Sequence, residues 1–75
     1  MKKINNKFVA SATDVRKAQS HCNAMAKAAP YDGSIEAWLN QSNGTIHYIE
    51  NVGNGYTVGD ADMKLLAYAY TPNRA

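Results

Sequence analysis

The sequence predicts an α+β fold: a small antiparallel sheet of three to four strands packed against one main amphipathic helix, closed by a C-terminal helix or, alternatively, a C-terminal strand. Three observations lead there. An apolar stripe at helical spacing begins behind a capping residue at Ser11 and stops at Pro30. Two segments of alternating polarity flank Gln41-Ser42-Asn43-Gly44. No residue from Gly59 to Tyr70 is β-branched, which favours helix over strand at that end. Seventy-five residues suffice for a single domain, 1–75, and no more. A chain this short buries only about 60% of the surface it exposes when unfolded. Its single cysteine, Cys22, cannot form an intrachain bridge, and no Cys or His cluster has metal-ligand spacing. Extra stabilisation is therefore expected from association.

From the N-terminus, Lys3 to Ala10 alternates, with Ile4, Asn6, Phe8 and Ala10 on one side, and reads as an edge strand. Ser11 and Asp14 form an acidic variant of the capping box. Behind them Val15, Ala18, Cys22, Met25, Ala26 and Ala29 make the inward stripe, mostly of small residues, so the helix axis can lie close to what it covers. Next, Asn43-Gly44 suits a two-residue type I′ turn. That turn would set Leu39 opposite Tyr48, Trp38 opposite Ile49 and Ile35 opposite Val52, with Ile35, Ala37, Leu39, Ile46 and Tyr48 facing the helix. Glu36, Trp38, Asn40, His47, Ile49 and Asn51 would then face the other way. A second tight turn in Gly53-Asn54-Gly55 would add Tyr56 and Val58 to the Trp38 side. Last, Asp60 and Asp62 start a helix whose stripe is Met63, Leu66, Ala67 and Tyr70, ending at Pro72.

Charge is unevenly divided. Residues 1–29 carry six basic side chains against one acidic, and residues 30–75 carry two against five, a polarity that orients an approaching partner without specifying it. The basic opening Met1-Lys2-Lys3 has no apolar run behind it and no segment is long enough to span a bilayer, so a cytoplasmic protein without membrane contact is expected.

Catalysis has few candidates. His21 and Cys22 diverge by about 100° around the helix, and His47 and Glu50 project from opposite sides of their strand. No catalytic residue, metal site or cofactor is expected. The order helix, three strands, helix from Ser11 to Tyr70 resembles the double-stranded RNA-binding domain in layout, with Gly55-Tyr56-Thr57-Val58-Gly59 as its glycine-containing loop. Where that family carries phosphate-binding lysines this chain has Asp60 and Asp62, leaving Lys64 alone nearby. Nucleic acid is thus a secondary partner, bound if at all by Lys2, Lys3, Lys7, Arg16 and Lys17. The expected site is a protein-binding face made of Trp38, Ile49, Tyr56 and Val58 with His47 and Asn40 at its rim, assisted by a basic strip of Lys3, Lys7, Arg16 and Lys17.

In its size, its helix from Asp14 to Lys27 and its hairpin from Ser34 to Val52, the chain resembles small phage-encoded inhibitors of the anti-CRISPR type. The resemblance implies a non-enzymatic inhibitor or regulator acting in the host cytoplasm. Its partner would be a larger protein or nucleoprotein complex such as a CRISPR effector, and it could form a homodimer through the same face.

Overall fold

The computed structural model describes residues 1–51 and 62–72. Within them the chain is α+β, in the order β1 (Lys2–Ile4), β2 (Lys7–Val9), α1 (Ala12–Ala28), β3 (Ser34–Asn40), β4 (Ile46–Asn51) and β5 (Met63–Tyr70). β1 and β2 form a two-stranded antiparallel sheet, and a three-stranded antiparallel sheet has the order β4-β3-β5.

The predicted edge strand at the N-terminus is instead a hairpin, with Ile4 opposite Lys7 and Lys3 opposite Phe8. Its two-residue turn is Asn5-Asn6, both at positive φ (51° and 63°). Such a turn needs two left-handed residues, and asparagine tolerates that conformation by bonding to its own backbone. The hairpin docks on the larger sheet through Phe8 N–H, which donates to the Gln41 carbonyl at 2.8 Å. The Phe8 ring covers Gly44, where an added Cβ would lie 3.1 Å from the ring.

α1 starts as its sequence predicts. The Asp14 N–H donates to the Ser11 hydroxyl at 3.1 Å, and the Ser11 N–H donates back to the Asp14 carboxylate at 2.9 Å. The Ser11 backbone N–H, then its hydroxyl, holds the Asp14 pKa below the usual carboxylate range, and the Met1 ammonium lies 3.3 Å away. A depressed carboxylate stabilises the fold above its unfolded-state pKa of about 4 and ceases to do so as it protonates. Ser11→Ala should therefore lower Tm by about 5 °C at neutral pH. The gap between variant and parent should narrow as pH falls below about 4, which thermal melts by circular dichroism will show.

α1 lies across β5 and β3. Ala18, Cys22 and Ala26 meet Ile35, Ala37 and Ala67 in a core where the largest fully buried side chains are Ile35, Leu39 and Cys22. Ala18, Ala26, Ala37 and Ala67 keep side chains short at the centre of this contact, and Met25, Tyr31, Ile46, Tyr48 and Leu66 pack around it.

The hairpin of β3 and β4 corrects the expected turn. Residues 41–44 form a four-residue loop in which Asn40 N–H donates to Thr45 O and Gly44 N–H donates to Asn40 O, both at 2.8 Å. Of the loop residues only Gly44 has positive φ, 78°. Asn43 therefore lacks the left-handed conformation that a type I′ turn requires; its side-chain oxygen accepts from Thr45 N–H at 2.9 Å instead. Leu39 thus faces Ile46 rather than Tyr48, and Trp38 faces His47 rather than Ile49. Two-residue and four-residue loops are both even, so the faces survive the correction: Ile35, Ala37 and Leu39 are buried under the helix, and Glu36, Trp38 and Asn40 point away from it.

The C-terminal segment is a strand, not the favoured helix. β5 pairs antiparallel with β3, Ala37 opposite Ala67 and Trp38 opposite Leu65, which leaves Leu66 as an extra residue in a bulge. With β5 as a strand, the layout shared with the double-stranded RNA-binding domain does not hold. The second turn and the strand expected at Tyr56 to Val58 lie outside the described residues.

Candidate interaction surface

The sheet face turned away from α1 is built in cross-strand rows. His47, Trp38 and Leu65 form one row, Ile49, Glu36 and Tyr68 the next, and Asn51, Ser34 and Tyr70 the third, with Asn40 opposite Met63 at the far end. Trp38 and Ile49 are half-buried. The Trp38 indole N–H donates to the Glu36 carboxylate at 3.0 Å, which pins the ring along the sheet and satisfies its polar atom. Tyr68 and Tyr70 meet edge to face with centroids 5.5 Å apart. Leu65, Tyr68 and Tyr70 are 41%, 50% and 75% exposed.

Four of the expected residues, Trp38, Ile49, His47 and Asn40, therefore share this face. Tyr56 and Val58 lie outside the described residues. The sequence reading missed Leu65, Tyr68 and Tyr70, the most open apolar groups there. Simple alternation puts Leu65 on the opposite side from Tyr68 and Tyr70, and it is the bulge at Leu66 that brings them together.

The basic residues do not make one strip. Lys3 and Lys7 lie on opposite faces of the β1-β2 hairpin, since Lys3 pairs with Phe8 and Lys7 with Ile4. The Lys3 ammonium sits 5.3 Å from the centroid of the Phe8 ring, and Lys7 is 3.6 Å from the Asp62 carboxylate. On the helix, Arg16 donates to the Thr13 hydroxyl at 3.2 Å, and Arg16 and Lys17 line the exposed side with Ser20 and Ala24. Charge is nevertheless segregated along β3. Asp32, Glu36 and Glu50 lie toward its start, whereas the lysine-bearing hairpin, Lys64 and Asp62, which pairs with Lys7, lie at its end, where Gln41 receives Phe8 and Leu39 faces Lys64.

The remaining reactive groups occupy structural positions. Cys22 is fully buried and burial raises its thiol pKa, so it stays protonated. His21 is exposed, its ring 4.3 Å from that of Tyr48. Burial likewise raises the Tyr48 pKa. Among the described residues no three His, Cys, Asp or Glu side chains converge to hold a metal, and no helix is long and apolar enough to cross a membrane.

A hollow of about 130 Å³ is lined by Val9, Ala10, Val15, Leu39, Gln41, Lys64, Leu65 and Leu66 where the hairpin meets α1 and β5. It brings no acid, base or nucleophile together beyond Lys64. On the sheet face away from α1, Trp38, Ile49, Leu65, Tyr68 and Tyr70 are arranged around the Trp38-bonded Glu36. No protein-family model, curated protein or solved structure matches the chain.

Proposed function

We propose that this chain is a non-enzymatic binding protein, an inhibitor or regulator that engages a larger protein or nucleoprotein complex through the open face of its sheet. The observation that supports this reading is the exposure of large side chains on the face away from the helix. Beneath the helix Ile35, Ile46, Tyr48 and Leu66 pack with Ala37 and Ala67, while Leu65, Tyr68 and Tyr70, on the other face with the half-buried Trp38, are left 41%, 50% and 75% exposed. Tryptophan and tyrosine together on one face have the composition of binding hot spots. A chain with so small an enclosed core gains from covering them. Nucleic acid has less support, because Lys3 and Lys7 point apart and Lys7 is already paired with Asp62.

The test is quantitative affinity capture from lysate with parent and Trp38→Ala bait, both checked for folding by circular dichroism. A partner captured stoichiometrically by the parent and lost by at least ten-fold with Trp38→Ala is the expected result. Equal capture by a folded Trp38→Ala bait, or capture only of nucleic acid sensitive to nuclease, would remove this reading.

A further inference from the structure

Away from the Trp38 face, we propose that the hollow between the hairpin, α1 and β5 is a binding site for a small monocarboxylate whose apolar body is about the size of a benzene ring. Its own residues leave this junction unfilled. Val9 and Ala10 close β2, Val15 comes from the start of α1, and Leu39 and Leu66 come from β3 and β5. Leu39 is buried at the floor, Ala10, Val15 and Leu66 are half-buried, and Val9, Lys64 and Leu65 stand exposed at the mouth. Alanine and valine are too short to meet across three converging elements, so about 130 Å³ stays open. An apolar cavity of about 150 Å³ holds benzene. The space therefore suits six or seven carbon atoms and is too small for a nucleotide or other ligand of ordinary size.

The polar groups decide what the ligand carries. Lys64 and Gln41 are the polar residues of the lining. Lys64 stands opposite Leu39 in the strand register, so it projects to the helix side of the sheet, where the hollow lies. Among the described residues neither the Lys64 ammonium nor the Gln41 side-chain amide has a hydrogen bond or ion pair. The neighbouring carboxylates are engaged elsewhere. Asp62 meets Lys7 at 3.6 Å and the Ser42 hydroxyl at 3.3 Å, and Asp14 accepts from Ser11 with the Met1 ammonium 3.3 Å away. Unpartnered donors beside an apolar space call for an acceptor, and an ammonium favours an anionic one. A carboxylate meets both donors while its hydrocarbon body leaves water for the leucine and valine walls.

NMR titration of the full chain with benzoate, beside acetate and benzamide, tests this. Benzoate should saturate with a dissociation constant on the order of 1 mM or tighter, shifting the signals of Val15, Leu39 and Leu66. Acetate lacks the apolar body and benzamide the charge, so each should bind at least about five-fold more weakly. Lys64→Gln, at an exposed position, should weaken benzoate by about five- to ten-fold and leave benzamide unchanged. Ala10→Leu, checked for folding by circular dichroism, adds three carbons at the wall and should abolish saturation. Because the ligand binds the native form, benzoate at about ten times its dissociation constant should raise Tm by several degrees in the parent and not in Ala10→Leu.

No saturable shift by about 10 mM benzoate overturns the proposal, as does saturation whose shifts are confined to Trp38, Tyr68 and Tyr70. Benzamide bound as tightly as benzoate, or benzoate indifferent to a folded Lys64→Gln chain, overturns the carboxylate assignment. Capture of a lysate partner through Trp38 is read separately and stands or falls without the hollow.

Discussion

Leu39→Ala is expected to lower folding stability by about 3 kcal/mol, most of the roughly 3 to 5 kcal/mol that a single core of this size supplies. Leu39 is fully buried and, with Ile35 and Cys22, is among the largest side chains so enclosed among the described residues. It borders a hollow of about 130 Å³ with Val9, Val15, Leu65 and Leu66, so truncation enlarges a space already present and the cavity term adds to the lost transfer energy. The position also lies where β3 meets both flanking strands, opposite Ile46 on one side and Lys64 on the other. Urea titration followed by circular dichroism should find the variant's midpoint lowered by more than half. Tyr68→Ala, half exposed on the opposite face, should keep a cooperative transition within about 1 kcal/mol of the parent. A midpoint for Leu39→Ala close to the parent's would show that the core lies elsewhere.

That contrast between adjacent strands and opposite faces follows from features of unequal visibility in the sequence. The capping box of Ser11 and Asp14 and the inward stripe of α1 depend on neighbours three or four positions apart, so local spacing reveals them. The two faces of β3 and β4 were legible through parity alone, even though the loop is longer than Asn43-Gly44 suggests. The N-terminal hairpin was hidden because Asn5-Asn6 interrupts an alternation that reads equally well as one strand.

β5 was illegible for a deeper reason. Ala67 and Ala69 face the helix opposite Ala37 and Ile35, and a helix lying close to a sheet requires small residues beneath it. Those same alanines carry the highest helix propensity, so a tertiary packing requirement imitates a local helical signal. The bulge at Leu66, set by pairing with β3, leaves no mark in the periodicity. The Leu65, Tyr68 and Tyr70 portion of the candidate site was lost with it.

The close helix-to-sheet approach carries the second large prediction. Ala26 is 2% exposed, in the inward row with Ala18 and Cys22 against Ile35, Ala37 and Ala67. Ala26→Leu adds three carbons to a layer with no space for them, and neither the β3 backbone nor the helix can yield without losing the contacts on either side. Overpacking of this kind costs about 1–3 kcal/mol, a large fraction of what the chain has. Ala24→Leu, exposed on the same helix, adds the same atoms where they meet solvent, and leucine is nearly as good a helix former as alanine. Thermal melts should separate the two variants by more than 5 °C, with Ala24→Leu within a few degrees of the parent. If Ala26→Leu melts with Ala24→Leu, the helix rides higher on the sheet than the row of Ala18, Ala26, Ala37 and Ala67 implies.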